Sequence, residues 1–150
     1  NVFITSHPSL AGIGRYFRDR LTFARDQVLF LDGANGSYIE LFGEPADDGL
    51  LVIIDSPGFV TSRLLARSAR RAGCKVLLVT GQFTEWAHEF ANITLSLPPQ
   101  RPSSRESLSA MMALLEYLAI SVVQAAGETA ETRMRRIEEL QGMFAQMPLR

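Results

Sequence analysis

Short apolar runs alternate along the chain with segments in which apolar residues recur every three or four positions. The runs lie at 2–5, 28–31, 50–54, 75–80 and 93–97. Strands that alternate with helical patterns are typical of a parallel α/β sheet. The central runs, "LLVII" and "VLLV", lack period-two alternation, as expected of strands that are covered on both faces. The pattern therefore predicts a sheet with helices on both sides.

The segments between the runs predict six helices of unequal length. An apolar stripe at three- and four-residue spacing predicts a first helix that contains Leu10, Ile13, Phe17 and Leu21. Shorter helices are expected at 38–42 and 84–90, and a longer one from Gly58 to Gly73. A long apolar helix is expected from about Ser104 to Ala126, and Thr129 is the expected N-cap of a last helix. The expected buried set of the first of these two helices is Leu108, Met111, Met112, Leu115, Leu118 and Val122. The apolar stripe of the last helix consists of Met134, Ile137, Leu140, Phe144 and Met147. The last stripe covers either the chain's own core or a partner subunit, and we favour the partner because this helix follows a completed sheet.

Composition and charge restrict the class of protein. The chain has 150 residues, 47% of them hydrophobic and 21% charged, with a net charge of −1. These values are typical of one globular domain that has no overall attraction for nucleic acid or acidic lipid. We find no stretch of about 18 to 20 apolar residues and no signal peptide, so we expect a soluble, cytoplasmic protein. The single cysteine, Cys74, opens an apolar run and is expected in the core.

Hydroxyl-bearing side chains follow three of the predicted strands. The segments are "TSHPS" (5–9), "DSPGFVT" (55–61) and "TGQFT" (80–84). Because the carboxyl ends of parallel strands meet at one edge of a sheet, the three segments are expected to converge. Each hydroxyl can cap a helix, or it can donate to an anion beside the backbone N–H groups of a helix start. The convergence favours an anion-binding loop, with candidate ligand-binding residues Ser6, Ser9, Ser56, Gly58, Thr61, Thr80 and Thr84.

The order of these elements resembles a sugar isomerase (SIS) domain, and in particular the effector domain of RpiR-type transcriptional regulators. The resemblance is carried by "IIDSPGFVT", by a helix that reaches Gly73, and by "VLLVTGQFTEWAHEFANITLSLP". It implies a three-layer α/β/α fold with a five-stranded parallel sheet, strand order 2-1-3-4-5. It also implies a bound sugar phosphate or related carbohydrate derivative and a homodimer or homotetramer. DNA would be contacted only through an N-terminal domain that precedes the first strand.

The sequence departs from the family pattern in two loops. In the family, the loop after the third strand usually reads Ser-x-Ser-Gly-x-Thr. Here its three hydroxyl residues are replaced by Asp55, Pro57 and Val60, although Ser56 and Thr61 lie one position away. A carboxylate about 4 Å from a bound anion costs on the order of 1 kcal/mol in bulk water and about 4 kcal/mol at an effective dielectric of 20. The glycine-rich first loop of the family is replaced by the segment at 6–10. The sequence therefore leaves open whether the ligand is phosphorylated.

Three functions remain open from the sequence. A ligand-sensing regulator domain needs no chemistry, no cofactor and no metal, and it is our first hypothesis. A phosphosugar isomerase or lyase would need a general base, for which Glu106 and His7 are the candidates. A degenerate domain kept for oligomerisation is the third. The arginines of the third helix, at 63, 67, 70 and 71, are interpreted as a solvated face rather than a nucleic-acid surface.

Overall fold

The parallel sheet expected from the sequence is present. The structure, a computed structural model, describes residues 1–33, 38–42, 48–56, 59–81, 84–98 and 107–145. Five parallel strands lie in the order β2-β1-β3-β4-β5. The predictions of a three-layer α/β fold and of the strand order 2-1-3-4-5 are confirmed.

The strands lie within one residue of the predicted limits. They are β1 Val2–Ser6, β2 Val28–Leu31, β3 Leu50–Ile54, β4 Lys75–Gly81 and β5 Ile93–Leu97. The central strand β3 is buried along nearly its whole length, as its unbroken apolar run predicts. Asn92 fixes the start of β5, because its Oδ1 accepts a hydrogen bond of 2.8 Å from the backbone N–H of Val76 in β4.

Within the described ranges, six α-helices connect or follow the strands. They are α1 Ala11–Ala24, α2 Ile39–Phe42, α3 Val60–Arg71, α4 Ala87–Phe90, α5 Leu108–Ala126 and α6 Glu128–Ala145. A 3₁₀ turn, Pro8–Leu10, precedes α1. Gly73 follows α3 with φ +88°, the left-handed conformation that glycine adopts without a Cβ penalty.

Two apolar cores lie on opposite faces of the sheet. Helix α3 packs through Leu65, Ala66 and Ala69 on one face, where Cys74 is also fully buried. Burial raises the pKa of the Cys74 thiol, because desolvation disfavours the thiolate. Helices α1 and α5 pack on the other face through Phe17, Leu21, Met111, Leu115 and Ala119. The predicted core position of Cys74 is confirmed.

The buried set predicted for α5 is wrong at its two ends. Met111 and Leu115 are buried, but Leu108 and Val122 are exposed, and Ala119 is buried instead. The reason is length, because 19 helical residues span about 28 Å whereas a five-residue strand spans about 17 Å. Both ends of α5 therefore extend past the sheet. The described helix begins at Leu108 behind the N-cap Ser107, and the predicted start at Ser104 lies outside the described residues.

One further expectation about the last helix needs correction, and the coverage of its apolar stripe is now defined. Thr129 lies in the first turn of α6 rather than at its cap, because Gly127 ends α5 and its carbonyl accepts from the N–H of Glu131. In the last stripe, Leu140 and Phe144 are exposed, and Met147 lies outside the described residues.

Among the residues that the structure describes, one helix is apolar enough to span a membrane by length and composition, contrary to our reading of the sequence. This helix is α5, Leu108–Ala126, and only 17% of its most apolar 18-residue window is buried. Met111 and Leu115 nevertheless pack against the sheet, and Glu116 in the middle of the helix is ion-paired to Arg20 of α1. This packing is that of a helix belonging to the core of an α/β domain.

Candidate functional site

The chain changes direction across the sheet between β1 and β3, and we refer to the region between the loops after these two strands as the crevice. From β1 the chain passes through α1 to β2 on one side, and from β3 it passes through α3 to β4 on the other. Since β1 and β3 are neighbours and their following helices lie on opposite faces, the loops after these two strands diverge. In open parallel sheets, ligands bind at such a point beyond the carboxyl ends of the strands.

His7 and Ser9 form a hydrogen-bonded pair in the loop after β1. The backbone N–H of Ser9 donates to Nδ1 of His7 at 3.2 Å, and Oγ of Ser9 lies 2.7 Å from the same nitrogen. Because a backbone N–H can only donate, Nδ1 is an acceptor and the ring proton resides on Nε2. The Ser9 hydroxyl therefore donates to Nδ1, and Nε2–H is the hydrogen-bond donor of the half-buried ring.

Two contacts join the loop after β1 to the segment after β3. The backbone N–H of His7 donates to the carbonyl of Ile54 at 2.9 Å. The ring of His7 also contacts the ring of Phe59 edge-on, with 4.7 Å between the centroids. Phe59 is the N-cap residue of α3, so His7 touches the start of that helix. The sequence analysis did not predict this role of Phe59, because a single aromatic residue in a polar loop belongs to no repeating pattern.

The start of α3 beside the switch point favours an anion. Its N-cap residue is Phe59, whose side chain cannot accept a hydrogen bond, and its first turn contains no acidic residue. The first N–H groups of a helix lack intrahelical partners, and together with the helix dipole they attract negative charge. The half-buried hydroxyl of Thr61 lies in this first turn of α3.

Thr80 and Thr84 are brought together at the end of β4. Their Oγ1 atoms are 3.1 Å apart, which is a hydrogen bond, and Thr80 is fully buried whereas Thr84 is half-buried. Thr84 thus presents the accessible hydroxyl of the pair, and Thr80 holds it in place.

Ser6 lies apart from these pairs. Its Oγ is buried and, within the described residues, has no hydrogen-bond partner. It lies under α1, where a Cβ atom added to Gly14 would come within 3.1 Å of it. Ser56 is half-buried next to Asp55, and Gly58 lies outside the described residues, as do Pro57 and Glu106.

Asp55 is buried at the base of the crevice. Only 1% of the residue is exposed. Its backbone N–H donates a hydrogen bond of 2.8 Å to the carbonyl of Val79, which extends the pairing of β3 with β4 by one residue. By the alternation of β3, Asp55 points to the α3 side of the sheet, on which Ile53 is buried. The carboxylate is therefore enclosed on the same side of the sheet as α3.

The crevice has no metal centre within the described ranges. Those residues contain no group of three or more His, Cys, Asp or Glu side chains that could hold a metal ion. The chemistry that remains consists of neutral donors, hydroxyl groups and the N-terminus of α3, which suits the binding of an oxygen-rich ligand.

The fold of the chain is similar to those of solved α/β structures. The structure is similar to the sugar isomerase domain of an RpiR transcription factor from Sphaerobacter thermophilus. The TM-score is 0.74 at 15% sequence identity, over 92% of this chain and 77% of that one. A second similar structure, described as a hypothetical protein, gives a TM-score of 0.60 at 16% identity over 88% and 76%. No protein-family model and no curated protein matches the sequence. The resemblance to the RpiR effector domain is confirmed at the level of the fold.

Proposed function

We propose that this chain is the ligand-sensing SIS domain of an RpiR-type transcriptional regulator, and that it binds a sugar phosphate or a related carbohydrate derivative. The observation that carries the proposal is the switch point of the sheet, where α3 begins without a capping side chain beside the His7–Ser9 pair and the hydrogen-bonded hydroxyl groups of Thr80 and Thr84. The fold match to a regulator domain supports the class. The alcohol groups suit a sugar, and the helix start suits its anionic group.

Binding is proposed to act by linking elements that lie on opposite faces of the sheet. A ligand held by Nε2–H of His7 and by the N-terminus of α3 bridges the loop after β1 and the loop after β3. Thr84 and Ser9 contribute hydroxyl groups at the two ends, with Ser56 and Thr61 beside them. A ligand that prefers one arrangement of α1 and α3 shifts the population toward it. In a homodimer or homotetramer that shift reaches DNA-binding domains attached at the N-terminus.

No catalytic residue is part of the proposal. Proton transfer between sugar carbons needs a base within hydrogen-bond reach of the substrate. Nδ1 of His7 already accepts from Ser9, so the ring offers a donor rather than a base. The other candidate, Glu106, lies outside the described residues. We therefore prefer the sensor over the isomerase and over a domain kept only for oligomerisation.

A thermal-shift screen tests the proposal. The panel contains pentose and hexose phosphates, phosphorylated amino sugars and the same sugars without phosphate. A ligand at 100 times its Kd stabilises by about 2.7 kcal/mol, which raises the Tm of a domain of this size by about 5 to 10 °C. We expect a shift with at least one sugar, reduced in His7→Ala and Thr84→Val. Thr94→Val, an exposed threonine of β5, is the matched control and should keep the full shift.

Three results would overturn the proposal or the site assigned to it. Incorporation of solvent deuterium at the carbon next to the sugar carbonyl would show an isomerase instead. The absence of any shift across the panel would favour the purely oligomeric domain. A shift that His7→Ala and Thr84→Val leave intact would place the ligand elsewhere.

A further inference from the structure

The outer face of α3 concentrates positive charge. The helix contains Arg63, Arg67, Arg70 and Arg71 and no acidic residue, although the chain as a whole has a net charge of −1. All four arginines are exposed, on the side of α3 opposite to the one that packs on the sheet. One short helix therefore presents a cationic surface on a chain that is otherwise slightly acidic.

This arrangement does not serve the stability of the helix. Arg67 lies four residues from both Arg63 and Arg71, a spacing at which like charges repel on a helix surface. The last-turn residues Arg70 and Arg71 suit the negative end of the helix dipole, but Arg63 lies close to the positive end. Helix stability therefore does not account for the full set of charges, whereas an acidic partner would relieve their repulsion.

Neighbouring residues hold two of the arginines in place. Nη2 of Arg63 lies 3.6 Å from the carboxylate of Glu89 in α4. Nη1 of Arg70 donates a hydrogen bond of 3.1 Å to Oδ1 of Asn92 at the start of β5. These contacts position part of the cationic surface against the body of the domain.

The other two arginines continue a stripe that begins with exposed aliphatic side chains. Val60 and Leu64 are 70% and 49% exposed, and together with Arg67 and Arg71 they have the spacing of one side of an α-helix. Among the residues that the structure describes, no carboxylate pairs with Arg67 or Arg71. The stripe is thus apolar at the start of α3 and cationic at its end.

The mixed character of the stripe selects the class of partner. Guanidinium groups bind carboxylates through paired hydrogen bonds, which suits an acidic protein segment. A nucleic-acid backbone would also satisfy the arginines, but it offers no apolar counterpart to Val60 and Leu64. A helix that binds a lipid surface does so through its apolar face, and that face of α3 is already packed on the sheet. An acidic segment that also carries aliphatic side chains satisfies both halves of the stripe.

The size of the surface indicates a transient contact. The 12 residues of α3 span about 18 Å, and a helix is about 10 Å wide. One helix face is smaller than the surface that each partner of a stable complex buries. We therefore expect micromolar rather than nanomolar binding.

We propose that the outer face of α3 is a docking site for an acidic amphipathic segment of another protein. Aliphatic side chains of that segment cover Val60 and Leu64, and its carboxylates pair with Arg67 and Arg71. The contact requires no sugar, so it does not depend on the function proposed for the crevice. It also lies on the face of the sheet opposite to α1 and α5.

Fluorescence anisotropy with the whole chain tests the chemistry of the partner. The probe is a labelled synthetic helical peptide with leucines at one end and glutamates at the other end of a single face. We expect a Kd of about 100 μM or lower at an ionic strength of about 0.15 M, and weaker binding at about 0.5 M. Peptides with glutamine in place of glutamate, or alanine in place of leucine, should both bind more weakly.

Charge reversal on the chain tests the position of the site. R67E/R71E should raise the Kd of the acidic peptide by at least about tenfold. R67Q/R71Q removes the charges without reversing them, and it should also weaken binding. The matched control is R135E/R136E, which changes the charge by the same amount at two exposed arginines of α6 and should leave the Kd within about twofold of the parent value. Circular dichroism and Tm confirm that each variant is folded.

The apolar half of the stripe has a variant and a control of its own. Leu64→Ala should weaken the binding of the acidic peptide, because it removes an aliphatic contact at the centre of the site. Leu108→Ala, at an exposed leucine of α5 on the other face of the sheet, should leave the binding unchanged.

Three outcomes would overturn the proposal. A Kd above about 1 mM for the acidic peptide would remove the docking site. An equal loss in R67E/R71E and R135E/R136E would reduce the binding to net charge. Tighter binding of a short DNA duplex or of anionic vesicles, lost in R67E/R71E, would assign the surface to nucleic acid or to lipid. These outcomes are separable from the sugar screen, because R67E/R71E should keep the full Tm shift with a crevice ligand.

Discussion

Gly14 lies where α1 crosses the end of β1, and its replacement by alanine tests the packing beneath the crevice. A Cβ atom there would lie 2.6 Å from Cε2 of Phe30 and 3.2 Å from Cβ of Ser6. The first distance is far below a van der Waals contact, so either the half-buried ring of Phe30 or helix α1 must move to accept the methyl group.

The expected effect follows from two opposing contributions. Overpacking in a tight site costs about 1 to 3 kcal/mol, and the contact with Phe30 places this site at the upper end. Alanine gains about 1 kcal/mol over glycine inside a helix. The net loss for Gly14→Ala is about 2 kcal/mol, which lowers the Tm by about 4 to 8 °C.

Gly12 in the same helix provides the matched control, because a Cβ atom added there would meet nothing within 4 Å. Gly12→Ala should stabilise by about 0.5 to 1 kcal/mol. The assay is urea unfolding followed by circular dichroism, with Tm as a second measure. If Gly14→Ala proves as stable as Gly12→Ala, the close packing of α1 on β1 is refuted.

The other predictions concern titratable groups. Hydrogen bonds from Arg20 and then from Tyr16 hold the pKa of Glu116 below its ordinary value of 4.5. The carboxylate's contribution to stability is therefore present above that pH and is lost as the pH falls through the lowered pKa. In unfolding titrations, Glu116→Gln should be less stable than the parent above pH 4.5, and the difference should vanish in stronger acid; an unchanged difference would exclude the linkage. Because the Cys74 thiol is buried and its pKa is raised, it should resist a thiol reagent in the native state and react only on unfolding. Rapid labelling of the folded chain would contradict its core position.

Much of the fold could be predicted because it depends on local pattern. The unbroken apolar runs of β3 and β4 can be satisfied only between two layers of helices, and the structure places them there. Gly73 also indicated the end of α3, because few residues other than glycine adopt the left-handed conformation found there. This signal depends on one residue alone. The four arginines of α3 are all exposed, as expected of its solvated face.

The candidate site was harder to predict, because it depends on the direction in which each side chain points as well as on the position of the residue in the sequence. Sequence placed Ser6, Ser56 and Thr80 at the ends of strands, and all three are there. It could not reveal that Ser6 is buried beneath Gly14, or that His7 touches Phe59 across the crevice. These facts depend on which way each strand-end side chain points and on how closely α1 approaches the sheet.

The sequence by itself determined the number of strands, their parallel arrangement and the hydroxyl-rich character of the edge where they end. Each of these follows from the spacing of apolar and polar residues within one segment. Only the tertiary structure decided which stripe residues are covered. Helices α5 and α6 are longer than the surfaces they pack on, so Leu108, Leu140 and Phe144 are exposed despite their regular spacing. Periodicity fixes the face of a helix that is apolar, whereas burial requires a neighbour of matching length.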